Sequence, residues 1–168
     1  MSLSLNVDSR SAKLQSSYQN LSAAANTLNK ASDAFGDAIT TLDDALNNLN
    51  PGVTAWITIS SSSTQEDAPW ETFEERLGYA KVSGRWGLCV CTVTVDGSPD
   101  GGEETKDSWL FNDAPRSLRL RAIDRVPELI EALANEATHT AKKVSEGAEF
   151  ARQLAISISS IAAGKGKR

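Results

Sequence analysis

Apolar residues recur every seven positions along the first fifty residues. Val7, Leu14, Leu21, Leu28, Phe35, Leu42 and Leu49 form one series, and Tyr18, Ala25, Ser32, Ile39 and Leu46 a second. The two interleave three-four-three-four, the a/d pattern of a coiled coil, and so predict a long helix over residues 8–50 that packs on a partner helix. A seven-residue period sustained this long favours a left-handed supercoil. Asp8 or Ser9 is expected to cap the helix. Asn50-Pro51-Gly52 is expected to end it, because proline cannot continue a helix and glycine accepts the turn. The remaining positions are mostly Ser, Asn, Thr and Ala, with few opposite charges at helical spacing. The stripe must therefore carry the stability.

The last third of the chain has the same grammar. Val126, Leu133, Thr140, Gly147, Leu154 and Ile161 are seven apart, as are Ile130, Ala137, Val144, Ala151 and Ile158. Residues 115–125 alternate like a strand at Leu118, Leu120 and Ala122 and are spaced equally for a helix at Leu118, Ala122 and Val126. The helix is favoured, so 115–162 read as a short helix running into a long one, with Pro127 suited to the first turn, and 163–168 as a basic tail. Laid antiparallel, the stripes place Leu49 opposite Val126, Leu46 opposite Ile130, Leu42 opposite Leu133, Phe35 opposite Thr140 and Leu28 opposite Gly147. Large residues meet small ones there, as a packed seam requires. Each stripe covers about 35 residues, roughly 50 Å of helix. The match predicts a long hairpin within one chain, and the same stripes equally fit a second copy.

Between the helices the period falls to two. Val53, Ala55, Ile57 and Ile59 alternate with Thr54, Trp56, Thr58 and Ser60, a strand pattern. Residues 60–65 read as a polar loop and Glu66 to Glu75 as an acidic stretch with room for a helical turn. Leu77 to Val82 and Arg85 to Val95 read as strands joined at Ser83-Gly84, a two-residue hairpin connection. Asp96 to Asp107 reads as a loop, Ser108 to Phe111 as a fourth strand and Asn112 to Pro115 as a helix start. The expected class is α+β. Two long antiparallel heptad helices flank a central antiparallel four-stranded sheet (residues 53–112) in a single domain spanning 1–168. The order long helix, β-hairpins, long helix resembles prefoldin-type chaperone subunits, a likeness of architecture without a shared motif that implies paired helical arms. Gly84-Arg85-Trp86-Gly87-Leu88 is similar to the turn of a WG-type β-repeat. It occurs once and is read as a hairpin.

Charge refines this picture. The 168 residues carry a net charge of −5, and 40% are apolar. Residues 1–52 hold a net −2, residues 53–114 a net −7 and residues 115–168 a net +4. Arg116, Arg119, Arg121 and Arg125 form the dense basic cluster, and on a helix Arg121 and Arg125 share a face. The cluster is expected either to pair with the acidic sheet region or to grip an anion. A sequence pI near 4.9 argues against nucleic acid, whose phosphates need a basic footprint. No apolar run reaches membrane-spanning length, and the opening Met1 to Asn6 lacks the head and apolar middle of a signal peptide. A cytoplasmic protein is expected.

Catalytic groups are scarce. His139 is the single histidine, expected on a helix surface, and no Gly-x-Ser-x-Gly elbow is present. Cys89 and Cys91 share one face of a strand, roughly 7 Å apart. That spacing suits neither a disulfide nor a complete zinc site, so both are expected as small core residues. The paired acids Asp43-Asp44, Glu66-Asp67, Glu74-Glu75 and Glu103-Glu104 lack ordered ligand spacing, and the glycines at 97, 101 and 102 lie among acids that repel phosphate. Trp56 points away from the Val53-Ala55-Ile57-Ile59 face if that face packs inward, making it a candidate partner contact, and Trp86 is a further candidate on the sheet. The expected function is a non-enzymatic interaction or scaffold protein without cofactor or metal. It self-associates as a homo-oligomer, and its sheet, with Trp56, Trp86 and the arginines, meets a further protein. The alternative is a small-ligand or anion-binding protein gripping through Arg119, Arg121 and Arg125.

Overall fold

The computed structural model describes residues 2–63, 71–98 and 100–164, and the chain falls into two compact units, 1–44 and 45–168. Helix α1 (Ser2–Leu49) supplies the whole of the first unit. It begins at Ser2 and not at the expected Asp8 or Ser9 cap, because nothing in Ser-Leu-Ser-Leu-Asn-Val breaks a helix. Thr27, Thr40 and Thr41 donate their hydroxyl protons to the carbonyls of Ala23, Gly36 and Asp37, each at 3.0 Å. These polar residues are thereby satisfied inside the helix.

The end of α1 belongs to the second unit. Asn50 sits at φ 45° and donates its backbone N–H to the carbonyls of Leu46 and Asn47, both at 3.1 Å. Asparagine tolerates this left-handed cap better than most residues. Gly52, at φ 67°, completes the turn.

Four strands follow: β1 (Ala55–Ser63), β2 (Glu71–Val82), β3 (Arg85–Asp96) and β4 (Glu103–Leu110). They pair antiparallel in the order β1-β2-β3-β4. Ser83 (φ 49°) and Gly84 (φ 85°) close the β2–β3 hairpin with two left-handed residues, the turn whose twist matches the strands. The strands outrun their apolar patterns. Ser60–Ser63, expected as loop, pair with Glu75, Glu74, Phe73 and Thr72, and 64–65 lie outside the described residues. Of the acidic stretch, Glu71–Glu75 is strand and not helical turn, while 66–70 with Trp70 lies outside the described residues. Glu103–Asp107, expected as loop, forms most of β4, and Phe111 opens a 3-10 turn (Phe111–Asp113) instead of ending the strand. In these strand extensions ladder hydrogen bonds to the neighbouring strand override the weak strand preference of Ser and Glu.

Helix α2 (Arg116–Ile123) runs through the segment that alternates like a strand, and α3 (Val126–Gly164) begins after a two-residue break. Residues 165–168 of the basic tail lie outside the described residues. Register and alternation sort the sheet into two faces. Ala55, Leu77, Tyr79, Leu88 and Val90 share the face that bears α2 and the start of α3, where Leu118, Ala122, Val126, Leu129 and Leu133 are buried with Phe111 and Ala114. Trp56, Gly78, Cys89, Cys91 and Val93 share the opposite face. Strand β3 is buried at every position from Gly87 to Val93, so both faces of its centre are covered.

Candidate functional site

On the face carrying Trp56, a cavity of about 240 Å³ is lined by Trp56, Arg76, Cys91, Val93, Glu103, Thr105 and Ser108. Trp56 lies over Gly78. A Cβ there would fall 2.5 Å from the indole Cδ2 and 2.7 Å from Cζ3, so only glycine admits the ring. The expected outward direction of Trp56 holds, and it is 38% exposed. Arg76 crosses the cavity between two carboxylates. Its Nη1 and Nη2 donate to Glu103 at 2.8 and 2.7 Å, and its Nε donates to Glu74 at 2.8 Å. The bidentate bond to Glu103, and then the bond to Glu74, raise the guanidinium further above its usual range, and Arg76 holds the Glu103 carboxyl below its own. Cys89 and Cys91 are buried and unbridged, as small core residues would be. Burial pushes the Cys91 thiol up, and a protonated thiol is a poor nucleophile.

On the helical face, Arg121 of α2 donates to Glu75 of β2 through Nε at 3.0 Å and Nη2 at 2.5 Å. Ser60 donates to the same carboxylate at 2.8 Å. The Arg121 bond holds the Glu75 carboxyl below the usual carboxylate range despite its partial burial. Arg125 lies past the end of α2 and does not share its helical face with Arg121. It pairs instead with Glu128 at 2.6 Å. Arg119 is half-buried and Arg116 exposed. The cluster is thus divided, and the pairing of Arg121 with Glu75 follows the expected attraction between the basic and acidic regions.

At the hairpin end, Trp86, 42% exposed, stacks on Tyr79 with ring centroids 5.6 Å apart. Tyr79 donates its hydroxyl proton to Asn47 Oδ1 at 2.6 Å, and Asn47 Nδ2 donates to the Trp86 carbonyl at 3.4 Å. These residues, with Asn50 and Gly52, line a second cavity of about 340 Å³. The hydroxyl–amide–carbonyl chain ties the end of α1 to the sheet.

The apolar stripes form the remaining surface. Within the second unit, Leu46, Leu49 and Pro51 line one apolar cavity of about 170 Å³ with Ile130, Leu133, Ala134 and Ala137 of α3. Further along α3, Val144, Leu154, Ile158 and Ile161 of the expected stripe are 50–66% exposed, and Phe150 is exposed beside them. In the first unit Leu14, Tyr18, Leu21 and Leu28 are exposed. His139 is exposed on α3. Among the described residues no cluster of three or more His, Cys, Asp or Glu is placed to hold a metal ion. None of the described helices is long and apolar enough to cross a membrane.

The sequence reading singled out Trp56, Trp86 and the arginines. Glu74, Glu75 and Glu103 stand in it only as surface acids, and the Arg76 carboxylate clamp, Gly78 beneath Trp56 and the Tyr79–Asn47 link are not read from it. The signal was present: extending the β2 alternation backward puts Glu74, Arg76 and Gly78 on one face and Glu75, Leu77 and Tyr79 on the other. Comparison of the chain with protein-family models, with curated proteins and with solved structures gives no match.

Proposed function

We propose that this chain is a non-enzymatic, self-associating interaction protein whose heptad stripes are covered by helices of a second copy. One observation carries the reading: Val144, Phe150, Leu154, Ile158 and Ile161 form an apolar stripe on α3 that nothing else in its own unit covers. Burying one such side chain is worth about 1.5–3 kcal/mol, and a soluble chain rarely leaves a row of them in water. Leu14, Tyr18, Leu21 and Leu28 of the α1 stripe are exposed with the same period and have the same need. The exposed indoles of Trp56 on one face and Trp86 on the other support the sheet as a contact element for a further protein. Arg121 and Arg125 hold Glu75 and Glu128, which favours an internal role for them over an anion grip.

The test is sedimentation equilibrium of the full chain beside the Leu154→Asp/Ile158→Asp variant. Both side chains are exposed, so the subunit keeps its fold while the stripe is broken. A wild-type mass that is a multiple of 17.9 kDa and drops in the variant supports the reading. A wild type that is monomeric at every concentration, or a variant of unchanged mass, overturns it.

A further inference from the structure

The two edges of the sheet are built differently. Strand β4 carries Glu103, Glu104, Lys106 and Asp107 within eight residues. Charge of this kind is how a natural edge strand repels another strand. Strand β1, Ala-Trp-Ile-Thr-Ile-Ser-Ser-Ser-Ser, has no charge and no proline in nine residues. Its one irregularity is a register shift between Thr58 and Ser60. Among the described residues, the backbone of Ala55–Ser62 has no backbone partner other than β2. Trp56, Thr58 and Ser60–Ser62 are exposed. A row of unspent N–H and C=O groups on a neutral strand is a template for another strand.

We propose that β1 pairs antiparallel with β1 of a second copy about a two-fold axis, joining the two four-stranded sheets into one. The proposal rests on the self-association reading and adds to it a second, separate contact. Charge selects the occupant. In the self-paired strand only Ala, Trp, Ile, Thr and Ser face one another, so no like charges are opposed. The strand behind is compensated as well, since Glu74 is held by Arg76 and Glu75 by Arg121. Symmetry selects it too. The two-fold pair consumes both neutral edges and leaves a charged β4 at each outer end. Pairing β1 on β4 would instead leave an open edge at every step and run on as a filament.

Sedimentation equilibrium and amide hydrogen exchange test this on the full chain. The variant is Thr58→Lys/Ser61→Lys, both exposed, which sets ammonium groups against each other across the axis and leaves a single sheet intact. In the wild type, the 55–62 amides are expected to exchange more slowly as protein concentration rises. In the variant, that dependence disappears and the mass falls by half. The Leu154→Asp/Ile158→Asp chain keeps its β1 protection and a dimer mass. Exchange over 55–62 that ignores both concentration and the lysines overturns the edge pairing. If only the stripe variant loses mass, the helical reading stands and the edge pairing falls. If only the lysine variant does, the reverse holds. Circular dichroism reports whether the sheet survives, and Ser61→Lys alone carries the same test where the double variant unfolds.

Discussion

The indole of Trp56 occupies the place where residue 78 of the neighbouring strand would carry its Cβ, and Gly78 leaves that place empty. An aromatic ring laid over a cross-strand glycine covers backbone that would otherwise be wetted and pins the register of β1 on β2. Gly78→Ala is expected to push the ring off and cost about 1–3 kcal/mol of stability. The same change made on a Trp56→Ala background is expected to cost little. Urea denaturation of the four chains of this double-mutant cycle measures the difference. Equal costs on both backgrounds would show that the ring does not depend on the glycine.

Arg76 is held from two sides by Glu74 and Glu103, and its side chain is 19% exposed. Arg76→Met keeps the aliphatic volume but leaves Glu74 partly buried without its cation. A loss of about 2–3 kcal/mol is expected. Glu103 is more exposed than Arg76, so Glu103→Gln is expected to lose less than Arg76→Met does. Chemical denaturation of the two variants gives the order. A Glu103 variant losing more than the Arg76 variant would contradict the clamp.

The bond from Arg121 lowers the Glu75 carboxyl in the folded chain relative to the unfolded one. The stability it supplies is therefore complete above the ordinary carboxylate range and is lost as pH falls through the lowered value. Glu103, lowered by Arg76, has the same sign. Thermal melts are expected to shift downward on acidification, with a shallower fall in Glu75→Gln. A variant whose pH profile lies parallel to that of the wild type would remove Glu75 from the account.

Leu129, fully buried beneath the sheet, anchors the start of α3. Leu129→Ala is expected to cost about 2–5 kcal/mol, whereas Leu154→Ala at the exposed stripe is expected to leave the intrinsic stability of the subunit nearly unchanged. Melting both variants at low protein concentration separates a core leucine from a contact leucine. Equal losses would mean that the stripe is already buried in the single chain.

The long helices, β1, the β2–β3 hairpin and the short helix were legible because each repeats a period over many residues or carries a turn with its own chemistry, as Ser83-Gly84 does. The ends of strands were not. Ser60–Ser63 and Glu103–Asp107 have little taste for strands and adopt the form because a neighbour offers hydrogen bonds, a fact written in the neighbour's sequence. The same gap hid part of the candidate surface. Trp56 was readable from alternation alone, but the carboxylates that hold Arg76 and Arg121 lie on strand extensions that the apolar pattern did not reach. Arg125 was placed on the face of Arg121 by continuing a helix that in fact stops at Ile123.

The hairpin has a consequence in time. Strands β2 and β3 pair over twelve positions from Glu71↔Asp96 to Val82↔Arg85 without a break in register, whereas the ladders of β1 and β4 each slip once. A ladder that closes through two residues costs little chain entropy to begin, while the outer strands must wait for longer loops to close. The unbroken hairpin is therefore the expected nucleus, with β1 and β4 joining afterwards. Substitutions near Ser83-Gly84 should slow folding, and substitutions in the outer strands should chiefly hasten unfolding.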